Sequence, residues 1–97
     1  MIVIAKSAIT QFIKKHPMSK DPLLSWYLKC KEADWSSLAD VRKVFRSVDY
    51  VENDLYVFNI GGNKFRLIAR IIFGVRTMYI RFVGTHEEYD KVKLSGL

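Results

Sequence analysis

The apolar residues of this chain change their spacing near residue 46, and that change restricts the fold more than any other feature of the sequence. Upstream they recur three and four residues apart, the spacing that gathers side chains on one face of a helix. Downstream they alternate with polar residues, as on a half-buried strand. A helical half followed by a stranded half predicts an α+β fold, with N-terminal helices packed on one face of a twisted antiparallel β-sheet and a short C-terminal helix. The 97 residues contain no repeat, low-complexity tract or linker. A chain of that length has room for one core, which predicts a single domain over 1–97.

Local signals divide the two halves further. The opening MIVI is β-prone and is expected as a short strand joining the sheet's edge. A helix follows to about Lys15, with Ala8, Ile9, Phe12 and Ile13 on one face. His16-Pro17 stops it, because the residue before a proline is pushed out of the helical region. Asp21-Pro22 supplies a cap and a first-turn proline for a second helix, which carries Leu23, Leu24, Trp26, Tyr27, Leu28 and Cys30. Ser36 or Ser37 caps a third, short helix with Leu38, Val41, Val44 and Phe45. Strands are expected over 47–52, 55–60, 64–73 and 76–83. Gly61-Gly62 turns one hairpin, since both positions can take positive φ, and Gly74-Val75 turns the next. Thr85 caps a final helix, with Glu88 three residues on in a capping-box spacing.

The strand faces follow from alternation. Phe65, Leu67, Ala69, Ile71 and Phe73 share one face; Lys64, Arg66, Ile68, Arg70 and Ile72 share the other. With two-residue turns, Phe58 lies opposite Phe65, Phe73 opposite Arg76, Arg70 opposite Tyr79 and Ile68 opposite Arg81. Met78, Ile80 and Phe82 then join the apolar face, while Asn59, Arg66, Arg70, Tyr79 and Arg81 converge on the other. A slip of one residue would exchange the faces.

Charge points to a polyanionic partner. The formal net charge is +6, which for so small a domain favours RNA, DNA or an acidic protein. Lys64, Arg66, Arg70, Arg76 and Arg81 fall between residues 64 and 85 with no acid among them, whereas Asp49, Glu52, Asp54 and Glu87, Glu88, Asp90 lie to either side. A single cysteine, Cys30, excludes an internal disulfide and, with only 2 histidines, argues against structural zinc. The first residues do not make a signal peptide, and no run approaches the roughly 18 apolar residues a membrane span needs. A cytoplasmic protein without a membrane partner is expected.

The run VFNIGGNKFRLIARI, followed by MYIRFVGTHEEYDKV, closely resembles the HigB family of type II toxin–antitoxin toxins, part of the RelE-like ribonuclease superfamily. The match covers roughly residues 55–92, and the helical first half is compatible in length and order. Its specificity lies in the combination of N-x-GGN-x-x-R with Y-I-R and T-H-x-x-Y-D. The resemblance implies a RelE-like helix-plus-sheet fold and cleavage of mRNA in the A site of the 70S ribosome. It also implies inhibition by a HigA-type helix-turn-helix antitoxin, through which alone DNA would be contacted, and chemistry without a metal or other cofactor.

Metal-independent RNA cleavage needs a base for the 2′-OH, an acid for the departing 5′ oxygen and positive charge where the phosphorane develops. Arginine suits the last role, because its planar fork matches two phosphate oxygens and stays charged. Arg66 and Arg81 are therefore expected on the scissile phosphate, with Arg70 and Lys64 as flanking backbone contacts and Asn59 and Tyr79 beside them. His86 is the acid/base candidate, since imidazole titrates near neutral pH. Tyr89 is expected to stack on a base or share proton transfer, and Asp90 to orient the imidazole or hold an arginine. The resemblance supports a functional role for Arg66, Arg81, His86, Tyr89 and Asp90, and leaves the division of labour open. Trp26 and Trp35 read as core or edge aromatics, Cys30 as a small buried hydrophobe, and His16 as a helix-end residue without a chemical role. The competing reading is a non-catalytic RNA-binding or protein-interaction domain using the same basic face. The arginine face carries one aromatic, Tyr79, where single-strand binders lay several, and this favours phosphate chemistry.

Overall fold

The computed structural model describes residues 1–97. The elements run β1 (Ile2–Ile4), α1 (Lys6–Lys15), α2 (Lys20–Glu32), α3 (Leu38–Val44), β2 (Asp49–Glu52), β3 (Leu55–Ile60), β4 (Phe65–Ile72), β5 (Thr77–Thr85) and α4 (His86–Lys91). This is the α+β order expected, with three helices ahead of the main strands and one short helix after them. The helix stops and caps follow the local chemistry. The chain turns out of α1 at His16-Pro17, Ser37 accepts a bond from Asp40 N–H at the start of α3, and Thr85 and Glu88 form a reciprocal capping box on α4.

The five strands form one sheet in the order β1-β5-β4-β3-β2. Pairing is antiparallel except at one edge, where Ile2, Val3 and Ile4 run parallel to Thr77, Met78 and Tyr79. The sheet is thus mixed rather than wholly antiparallel. Parallel pairing is possible there because α1, α2 and the other strands supply the long crossover such neighbours need.

Both hairpin turns differ from the two-residue geometry. In β3–β4, Ile60 pairs with Phe65, so Phe58 lies opposite Leu67 and not Phe65. The loop holds four residues, with Gly61 and Gly62 at φ of 63° and 71°. This shift is even, so each residue keeps its face, and it moves Asn59 from opposite Lys64 to opposite Arg66. In β4–β5 the turn is a single 3₁₀ turn over Phe73–Val75, closed by Arg76 in the left-handed region. Arg70 pairs with Tyr79 as expected, and Ala69 with Ile80. The ladder then skips a residue: Ile68 pairs with Phe82, not Arg81, and Leu67 with Val83. Arg81 is the extra residue of a β-bulge, whose effect is to leave one side chain unpaired and bend the strand. Past it, Phe82 leaves the expected apolar face and Val83 takes its place.

One sheet face carries the main core. Ile9, Phe12, Leu23, Trp26, Cys30 and Val41 of the helices pack on Phe58, Leu67, Ala69, Ile71, Met78 and Ile80. Burying a large aliphatic side chain contributes roughly 2 kcal/mol, so this layer dominates stability. Trp35 is buried and meets Phe45 edge-on. Cys30 is fully buried, and desolvation pushes its thiol far above the neutral range, as expected of an inert core residue. The opposite sheet face has a smaller cluster in which Leu55, Val57 and Ile68 are covered by Phe82, Tyr89, Val92, Leu94 and Leu97. The segment after α4 therefore lies on the face expected to carry the arginines.

Candidate active site

Arg66 stands on β4 opposite Gly84, where the missing side chain lets the Phe82 ring and the Glu88 stem pack close against the strand. Its Nη1 donates to the Oδ1 of Asn59 across the β3–β4 hairpin and to the Oδ1 of Asn63 in the loop, the latter at 3.1 Å. Asn59 is fixed in turn, its Nδ2 donating to Ser47 Oγ at 3.1 Å. The guanidinium carbon sits 5.6 Å from the centroid of the Tyr89 ring, within cation–π range. Two neutral amide oxygens and an aromatic face orient Arg66 without neutralising it. No carboxylate pairs with it, so its charge remains available to an anion.

α4 brings the remaining groups to this place. Its capping box fixes the first turn, and His86 N–H donates to the carbonyl of Lys64 at 3.3 Å, tying the helix to the loop before β4. His86 Nδ1 faces Asp90 Oδ2 at 3.4 Å, one helical turn on, and both side chains are about half exposed or more. That pairing leaves Nε2 without a protein partner. Arg66 is thus joined to Asn59, Asn63 and Tyr89, the His86–Asp90 pair stands on the same short helix as Tyr89, and Lys64 is exposed.

Three expected members are placed differently. Arg70 is engaged, donating to Asn53 O at 2.8 Å and to Leu97 O at 3.1 Å, and so fastens the C-terminal segment to the sheet. Tyr79 is half-buried between Arg70 and β1 and has no contact with the Arg66 group. Arg81, displaced by the bulge, makes no ion pair or side-chain hydrogen bond. It lines a cavity of about 540 Å³ between α1, β5 and α4, with Lys14, Lys15, His16 and Glu88 also in the wall. Arg76, which contributed to the basic count, is paired with Asp34 at 2.6 Å, away from this group.

A sequence profile of the family described as "HigB_toxin, RelE-like toxic component of a toxin-antitoxin system" matches residues 19–92. The chain belongs to the HigB toxin family. It is 33% identical over 94 residues to "mRNA interferase HigB" of Escherichia coli O6:H1 strain CFT073, covering 95% of this chain and 91% of that protein. It is likewise 33% identical over 93 residues to "mRNA interferase toxin HigB" of Escherichia coli K12 and to "mRNA interferase HigB" of Shigella flexneri, covering 93% of this chain and 88% of each relative. No helix of this HigB-family chain is long and apolar enough to cross a membrane.

Two features of the site escaped the sequence reading. Asn63, which directly follows the two turn glycines, supplies one of the two side-chain oxygens that hold Arg66. His16 was given no role, yet it faces the cavity that Arg81 lines. The G-G-N-x-x-R spacing held a signal for Asn63, since a loop residue three before an arginine can reach back to it. His16 left none, because α1 and β5 are far apart in the chain.

Proposed function

We propose that this HigB-family chain is an mRNA-cutting endoribonuclease toxin, acting in the cytoplasm on translated messages at the ribosome and neutralised by a HigA-type antitoxin. What supports the reading is an unneutralised Arg66 held against Tyr89 of α4, the same short helix that carries the His86–Asp90 pair. The names of the relatives supply the reaction class, and the geometry supplies a route for it.

In that route a base takes the proton of the 2′-OH and O2′ attacks phosphorus. The P–O5′ bond breaks and an acid returns a proton to O5′, leaving a cyclic phosphate and a 5′-hydroxyl. Arg66 stabilises the charge on the non-bridging oxygens, an effect worth about 10²–10³ in rate. His86 exchanges protons through Nε2 while Asp90 orients the ring. Tyr89 holds Arg66 through its ring and stacks on a base. Arg81 and Lys64 add charge along the RNA backbone. Asn59 acts through Arg66, and Arg70 and Tyr79 contribute field and surface at the far end of the face. No metal is required by this scheme.

Induced expression of the lone chain in a bacterial host, with mRNA 5′ ends mapped within minutes, tests it. Growth arrest with new cuts inside translated frames is expected, and both should vanish in Arg66→Ala and His86→Ala. Arrest that persists in both variants, made as soluble folded protein, would remove this site. Transcripts that stay intact while the parent protein accumulates would remove the activity. Rescue by a co-expressed helix-turn-helix neighbour tests the antitoxin.

A further inference from the structure

A cavity opens between α1 and α4, and the scheme above uses only one of its residues, Arg81. Its volume of about 540 Å³ is in the range of small-ligand sites and would hold a nucleotide-sized group. Three cations line it, Lys14, Lys15 and Arg81, and none of them makes an ion pair or a side-chain hydrogen bond. The one carboxylate in the wall, Glu88, has its Oε1 held by Thr85 N–H at 2.8 Å as half of the capping box; its charge, which Lys15 and His16 sense, is outnumbered by the three cations.

His16 gives the cavity a fixed donor. Its ring stacks on Phe12 at 4.5 Å between centroids and 28° between planes, and lies 6.0 Å from the Phe65 ring. The stacking on Phe12 restricts how the imidazole can turn. Phe12 and Phe82 also line the cavity, adding apolar surface suited to a sugar or base rather than to a bare ion. Glu88 stands in the same short helix as His86 and Tyr89, so α4 borders both the cavity and the Arg66–Tyr89 contact.

We propose that the cavity is a second phosphate subsite, holding the RNA phosphodiester that adjoins the one being cut, with Lys15, His16 and Arg81 as its ligands. The inference rests on the nuclease reading and extends it: His16 is an RNA-positioning residue, and the bulge at Arg81 exists to aim that arginine into the cavity. The continuity with the Arg66 group and the apolar walls favour an RNA strand over an acidic peptide as occupant.

A charge-neutralisation scan separates the possibilities. The probe is a short 2′-O-methyl RNA, which binds but cannot be cut because its nucleophile is capped. It is measured free and in the decoding site of programmed ribosomes, with each phosphate in turn replaced by an uncharged methylphosphonate. In the parent protein, neutralising the adjoining phosphate should weaken binding about tenfold, as expected for losing one charge-assisted contact. In Lys15→Glu and in His16→Ala that penalty should disappear, while the penalty at the scissile phosphate persists; Arg66→Ala should show the converse. Lys15 is exposed, so its variant carries the test if loss of the His16 ring prevents folding. An undiminished penalty at the adjoining phosphate in both variants would overturn the subsite alone. So would variants that bind RNA as the parent does but no longer bind the antitoxin, since an acidic protein would then fill the cavity. Failure of the parent to bind the probe in either format would overturn the nuclease reading together with the subsite.

Discussion

The two hairpins that build the sheet depart from simple alternation in opposite ways. β3–β4 is displaced by two residues relative to a minimal turn, and nothing changes face. β4–β5 skips a single residue, and Phe82 and Val83 exchange sides while Arg81 drops out of the ladder. Because side chains alternate with a period of two, an even displacement is silent and an odd one rewrites the surface. The first hairpin delivers Asn59 to Arg66; the second sends Arg81 to a cavity shared with a helix from the other end of the chain.

The largest effect should come from deleting a residue where the ladder is regular. Removing Ala69 would turn half of β4 over, placing Leu67 and Phe65 on the polar side, and we expect loss of the cooperative unfolding transition by calorimetry or circular dichroism. Deleting Arg81 should behave oppositely, because Ile80 and Phe82 already pair with the consecutive residues Ala69 and Ile68. A cooperatively folded protein that no longer arrests growth is expected, and an unfolded one would mean that the bulge is structural. Next in size is Gly84→Val. A Cβ there would come within 2.9 Å of Phe82 Cε2 and 3.2 Å of Glu88 Cβ, an overpacking that should cost about 1–3 kcal/mol in denaturant melts. Gly62→Ala, in the loop of the silent hairpin, meets open space and suffers only its φ of 71°, so about 1 kcal/mol is expected. A cost at Gly62 above that at Gly84 would reverse the comparison.

The smallest effect concerns the acid side of α4. The Thr85 backbone N–H, and then its hydroxyl, hold the Glu88 carboxyl below its ordinary value of 4.5. A depressed carboxylate contributes stability that is present above its unfolded pKa and lost as pH falls through the folded one. Glu88→Gln should therefore flatten the fall in melting temperature below about pH 4.5 and leave its slope near neutrality unchanged. An unaltered acid limb would show that the capping box contributes nothing to it.

How much of this was legible in the chain depends on sequence distance. The helix stops at His16-Pro17, the cap at Thr85 and the assignment of residues 65–71 to faces are local, and each follows from the residues within a turn or a strand. The bulge was invisible because MYIRFVGT alternates acceptably whether or not a residue is skipped. Nothing in the sequence near Arg70 marks it as engaged, because its partners, Asn53 O and Leu97 O, come from a distant turn and from the segment that folds back across the sheet. His16 and Arg81, 65 positions apart by their numbers, meet only because β1 turns the chain into α1 beside β5, and no spacing rule reports such a meeting. The contacts among neighbours in sequence, such as the His86–Asp90 pair one helical turn apart, were accordingly readable, and the cavity was not.

The short parallel pairing of β1 has a consequence for how these molecules behave toward one another. β1 covers β5 only as far as Tyr79, so beyond it the strand presents an outer border with no strand beside it. Such a border is where identical chains zip together into aggregates. An exposed, charged Arg81 midway along that stretch, at the cavity it shares with the helix end bearing Lys14 and Lys15, sets like charges against any second copy that approaches. The residue that leaves the ladder thereby acts as a guard on solubility, and a chain with an apolar residue in its place would be expected to cluster as its concentration rises.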